Sequence, residues 1–129
     1  MASQGLWSKL TGKKRDAEAA QRWEAFASWA AENGLTLLQI ERVYQTARRG
    51  TKAHVYKFGT TWRRDGWFWW TRVIPGSVVA VVVSQGWGPH TNKSDVLFVG
   101  GEHSGHGIEG TFDRKSLARA RRHWRRNGT

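Results

Sequence analysis

The chain has no cysteine and only two prolines among its 129 residues. The missing cysteine excludes disulfide staples, thiolate nucleophiles and cysteine-built zinc fingers or ribbons, and it fits a cytoplasmic protein. No apolar run approaches the roughly 18–20 residues of a membrane span. The longest, "VVAVVV" at 78–83, has the length of a strand. The basic N-terminus is not followed by the apolar stretch and cleavage site of a secretory signal, so none is expected. Carboxylates are scarce as well: ten Asp plus Glu stand against 21 Lys plus Arg, for a formal charge of +11. That shortage argues against a metal-dependent nuclease, whose cations need clustered carboxylates. Neither a phosphate-cradling G-x-x-x-x-G-K-S/T nor a G-x-G-x-x-G is present, and nothing in the chain calls for a cofactor.

What is present is a strongly positive, aromatic, single-domain chain. Its field favours polyanions: nucleic acid first, an anionic membrane surface next, an acidic protein third. Nine tryptophans and 39% hydrophobic residues are enough for one genuine core. Residues 1–15 read as a basic amphipathic arm, with Leu6, Trp7 and Leu10 on one face of a short helical turn. Residues 16–129 read as a single α+β domain.

A helix is expected from Asp16 to about Asn33, with Asp16 as N-cap and Asn33-Gly34 as the stop. Ala20, Trp23, Ala27 and Ala30 form its apolar stripe, widened by Phe26, and this face is expected to pack on a sheet. An antiparallel β-meander of about five strands follows: 35–45, 52–64, 66–74, 77–85 and 95–100, with an edge strand at "IEGTF". The continuously apolar 78–83 suits a strand covered on both faces. A basic helix capped by Asp113 closes the chain, with a stripe of Leu117, Ala120 and Trp124.

The stretch "WRRDGWFWWTRV" (62–73) concentrates four tryptophans and three arginines. Asp65-Gly66 reads as a two-residue hairpin turn, which fixes the register and sorts the side chains. Phe58, Trp62, Trp67, Trp69 and Val73 then share a core face, with Trp62 opposite Trp69. Arg63, Phe68, Trp70 and Arg72 share the other face, where aromatics among cations can stack bases and hold phosphates. Burial of that second face beneath the C-terminal helix is the competing reading.

In the C-terminal helix, Arg114, Lys115, Arg119, Arg122, Arg125 and Arg126 spread opposite the apolar stripe, with one acid among them. Such uncompensated charge is relieved by a polyanion, and arginine suits geometric phosphate contacts. The loop "GGEHSGH" (100–106) carries Glu102, His103 and His106, candidate metal ligands that His90 or Asp95 would supplement. It resembles the sugar-recognition loop of the phosphohexomutases, GGE-x-SGH, which implies hydroxyl contacts by Glu102, Ser104 and His106. The match spans seven residues, and the phosphoserine and magnesium loops of those enzymes have no counterpart.

These observations describe a small, basic, non-enzymatic nucleic-acid-binding protein. The alternatives are an assembly protein that meets an acidic partner or an anionic membrane surface, and a small metal- or His-dependent hydrolase centred on 102–106.

Overall fold

The computed structural model describes residues 2–85, 96–101, 103 and 106–128, with side chains described from Thr11 to Val83 and from Val96 onward within those ranges. Its elements are helix α1 (Ala2–Glu32), strands β1 (Thr36–Ala47), β2 (Gly50–Lys57), β3 (Arg63–Trp69), β4 (Val78–Val81), β5 (Val83–Gln85), β6 (Val96–Val99) and β7 (Ile108–Phe112), and helix α2 (Arg114–Arg126). The architecture is α+β, as expected. The sheet is mixed rather than a simple antiparallel meander. Its order is β5-β6-β3-β2-β1-β4-β7, with β3 and β6 parallel. Strands β1 to β3 do form a meander, and β4 then returns to lie beside β1, which makes a Greek key.

Only Val82 separates β4 from β5, yet the two lie five strand steps apart in the sheet order. At about 4.8 Å per step, a flat sheet would hold them about 24 Å apart. Two residues of chain span at most about 7 Å. The sheet therefore curls until β4 and β5 meet as one strand bent at Val82, giving a partly open barrel.

This curl produces two cores. Leu38, Ile40, Val55, Phe68, Val81 and Leu97 fill the barrel interior. Trp23, Phe112, Leu117 and Ala120 pack with Val78 where the helices cover the outside of the sheet. The apolar character of 78–81 follows directly: Val79 and Val81 face the barrel, while Val78 faces the helices. Val82, at the bend, is exposed, so the expected double cover does not extend through 83. Trp23 organises the second core, with its ring centroid 4.4 Å from Phe58, 5.1 Å from Phe112 and 6.2 Å from Trp124. Trp29, which the helical stripe alone does not place, lies over Gly110 of the edge strand β7.

Two expected boundaries are corrected. Helix α1 begins at Ala2 and passes straight through Asp16, which is buried inside the helix instead of capping it. Nothing between Gly12 and Arg15 breaks the helix, and Asp16 is held by cations from α2. The face expected of Leu6, Trp7 and Leu10 lies outside the described side chains. The second correction concerns Asp65-Gly66, which is not a turn but the middle of β3, paired with His54 and Ala53 of β2. The β2–β3 reversal occurs at 58–62. There Gly59 takes a positive φ of 78°, and the Thr60 hydroxyl donates to the Lys57 carbonyl at 2.8 Å. Gly66 is small because Phe68 folds over it: a Cβ at position 66 would stand 3.1 Å from the Phe68 ring. A turn signal was in fact a packing requirement.

Candidate nucleic-acid interface

Helix α2 starts where the sequence places it. The Asp113 carboxylate accepts from the Ser116 N–H at 3.2 Å, and the hydrogen bonds made by Ser116 hold the Asp113 pKa below the ordinary value despite some burial. Leu117 and Ala120 are buried as the apolar stripe, with Trp124 half-buried beside them.

The cations of α2 divide into two sets. Arg119 is half-buried, and Arg122 and Arg126 are exposed, yet all three turn toward α1. They converge on Asp16, at 3.5 Å, 3.5 Å and 2.9 Å respectively. The Asp16 side chain is only 2% exposed, so an unpaired charge there would be costly. Burial pushes its pKa up, but hydrogen bonds and charge from Arg122 and Arg126 outweigh that and hold it below the usual 3.8. These three arginines staple α2 to α1, a structural role beside the phosphate contacts expected of them. Arg114, Lys115 and Arg125 are exposed and have no ion pair among the described residues. Arg121, which was not singled out in the sequence, crosses to the sheet. It donates to Gln39 of β1 at 3.0 Å and lies 6.0 Å above the Phe58 ring.

The staple has a pH signature. A lowered folded pKa means that Asp16 and Asp113 contribute stability fully above the unfolded value of 3.8, and that this contribution is lost as pH falls through the folded value. Urea midpoints are expected to be flat from about pH 7 to 5 and to drop below about pH 4. Asp16→Asn is expected to lower the midpoint at neutral pH and to flatten the acid drop.

The outer face of β1–β3 carries a second cationic and aromatic surface. Along β2, Ala53 and Val55 point into the barrel, while Lys52, His54 and Tyr56 alternate outward. Opposite them across β3 stand Trp67, Asp65 and Arg63; Arg42 of β1 pairs with His54. Irregularities between Ile40 and Arg42, and between Val43 and Gln45, bring additional β1 residues to this face. Glu41 binds the Arg63 guanidinium at 2.8 Å. Tyr44 stacks on the His54 ring at 4.5 Å and 27°. His54 Nδ1 contacts the Asp65 carboxylate at 2.8 Å. Burial, with the charge and hydrogen bond of Asp65, raises the Tyr44 pKa, so its hydroxyl stays protonated and donates to Asp65.

The aromatic stretch that stood out in the sequence resolves differently from its expected faces. Phe68 is fully buried in the barrel, so it is core and not part of a stacking surface. Trp69 is 5% exposed and Trp70 is 51% exposed, so these neighbours do separate into core and surface. Trp67 and Trp69 lie on the face opposite Phe68 and pack edge to face at 5.4 Å, so the expected Trp62–Trp69 pair does not form. Trp62 precedes β3, packs against the barrel core and carries the Arg64 guanidinium 4.1 Å above its ring.

Trp70 is the only non-glycine residue with positive φ among the described residues, at 57°. The left-handed region costs a non-glycine residue roughly 1–2 kcal/mol. Its N–H donates to the Arg49 carbonyl at 2.7 Å, which anchors Trp70 at the β1–β2 turn beside the exposed Arg48 and Arg49. Arg72 is exposed two residues further on. Strained residues of this kind cluster at ligand sites.

Of the histidine loop, His103 and His106 are exposed, while Glu102, Ser104, His90 and Asp95 lie outside the described residues. No group of three His or carboxylate side chains able to hold a metal occurs among the described residues. No helix among them is long and apolar enough to cross a membrane. Comparison with known proteins finds no family model, no curated protein and no solved structure that matches this chain.

The sheet face escaped the sequence reading because the misplaced hairpin turn scrambled which side chains share a side. One signal was available: "KAHVYK" alternates outward Lys52, His54 and Tyr56 with inward Ala53 and Val55.

Proposed function

We propose that this is a nucleic-acid-binding protein that uses exposed cations on α2 and on the β1–β3 face and carries out no reaction of its own. One observation carries the reading: four acids beside these cations are already engaged, while Glu18, Glu24 and Glu32 are exposed on α1 and Glu109 on β7. Asp16 is held by three arginines, Glu41 by Arg63, Asp65 by His54, and Asp113 by the helix cap. Arg42, Lys52, Arg114, Lys115 and Arg125 have no ion pair among the described residues. Part of the +11 charge is thus carried by exposed cations without an ion pair among the described residues, which suits a polyanion.

The test is a binding titration against DNA and RNA across salt concentration. Affinity is expected to fall with a log–log slope of about 0.7–0.9 per phosphate contacted. Lys115→Ala and Arg125→Ala should each reduce that slope, whereas Arg126→Ala should lower stability. Absence of binding at low salt, or binding that ignores salt, would sink the proposal. A stoichiometric complex with an acidic protein, formed without nucleic acid, would favour the assembly reading in its place.

A further inference from the structure

We infer that the ligand of this surface is single-stranded nucleic acid, laid along the outer face of β2 and the β1–β2 turn. Its bases stack on Trp70 and on the Tyr44–His54 pair. The inference rests on the nucleic-acid reading above and adds the strandedness and path of the ligand.

The two exposed aromatics of this region are what a duplex cannot use. Tyr44 is 41% exposed and Trp70 is 51% exposed. A base pair buried in a helical stack offers its edges and its phosphates, while an unpaired base offers a whole ring face. Cations lie near both rings. Arg42 and Lys52 are on the strands that carry Tyr44 and His54, where Asp65 is already bonded to His54. Near Trp70 is the exposed Arg49, whose carbonyl holds its N–H, with Arg48 and Arg72 close in the chain. From Gly50, level with the turn, to His54 is four residues of strand, or about 13 Å. One short run of nucleotides can therefore reach both rings while its backbone passes Lys52. Arg121 joins the sheet to α2 through Gln39, so the cations of the helix continue the same track.

Each ring is also held in place. Tyr44 is fixed between the His54 ring and the Asp65 carboxylate, which itself holds His54. Trp70 is fixed by its left-handed backbone and its bond to Arg49. A glycine would adopt that backbone without strain, so the tryptophan carries a backbone cost of the kind found at ligand sites. Aromatics presented rigidly lose little freedom on binding.

The experiment is fluorescence anisotropy with an end-labelled mixed-sequence 20-mer, as a single strand of DNA or RNA and as the matching duplex, at several salt concentrations. The single strand is expected to bind more tightly than the duplex. Trp70→Gly, which keeps the backbone conformation available, and Tyr44→Ala are each expected to weaken single-strand binding about 5- to 100-fold. Their salt slopes should stay unchanged, since no charge is removed. Trp70→Tyr should restore most of the affinity, which a purely structural role would not require. Circular dichroism confirms that each variant is folded. Equal affinity for duplex and single strand, or unchanged binding by both ring variants, overturns this inference while leaving the nucleic-acid reading intact. Loss of binding to every nucleic acid removes both.

Discussion

Replacing Phe68 by alanine is expected to destabilise the protein by about 3–5 kcal/mol, while Trp70→Ala, two residues away, should leave stability within about 0.5 kcal/mol. Phe68 is completely buried in the barrel among Leu38, Ile40, Val55 and Leu97. Removing its ring deletes contacts to several strands at once and leaves a void where the curled sheet cannot collapse. Position 66 has already been reduced to glycine to admit that ring, so no neighbouring side chain stands ready to fill the gap. Trp70 behaves oppositely because half of its surface is in water and its backbone conformation is itself unfavourable. Urea denaturation of the two variants reads the contrast directly. A Phe68→Ala protein as stable as the parent would contradict the barrel interior, and a Trp70→Ala protein that unfolds would make that ring structural.

The end of α1, the C-terminal helix with its cap, and most strand identities were legible in the sequence because local chemistry decides them. The start of α1 was not, since Asp16 lies inside the helix. Asp113 ahead of Leu117 and Ala120, Asn33-Gly34 at the end of α1, and the apolar residues 78–81 all did what their types dictate. The exposed Val82, in contrast, interrupts the strand expected over 78–83. The register of β2 on β3 was not legible. Asp65-Gly66 has the chemistry of a hairpin turn, but tertiary partners claim both residues: His54 and Tyr44 bond to Asp65, and Phe68 covers Gly66. A displaced turn changes which side chains share a face, and so Phe68 exchanged roles with the surface. The parallel pairing of β3 with β6 was hidden for a similar reason, since it depends on the barrel curling and not on any local pattern.

The arginines of α2 show the same limit in electrostatic form. Spacing alone put all six selected cations on one exposed set, because the acid that pairs with three of them lies about a hundred residues earlier in the chain. Asp16 is that acid, and it draws Arg119, Arg122 and Arg126 to the α1 side of the helix. What remains exposed without an ion pair among the described residues is smaller but better defined: Arg114, Lys115 and Arg125 on the helix, joined through Arg121 to the sheet. Half of the sequence-selected helix cations thus build the platform that presents the other half.

Gly50→Ala is expected to cost roughly 3 kcal/mol, although it adds a single methyl group, while Gly12→Ala should stabilise the protein by about 0.5–1 kcal/mol. Gly50 opens β2 and pairs with Ala47 on one side and Trp69 on the other. A Cβ there would collide with the Phe68 carbonyl oxygen and stand 2.7 Å from Cζ2 of Trp67. The carbonyl belongs to the backbone of β3 and cannot swing aside, and Trp67 is itself packed edge to face on Trp69. Relief requires β2 and β3 to part at the place where the Arg49 carbonyl holds Trp70, so the same methyl should also weaken any ligand that depends on Trp70. Gly12 lies within α1 and has nothing within 4 Å of its added Cβ, so alanine there only reduces the freedom of the unfolded chain and favours the helix. Opposite signs for the same substitution, read as urea midpoints, would tie the β1–β2 turn to the stability of the barrel. A neutral Gly50→Ala would mean that β2 and β3 are less tightly apposed than the structure shows.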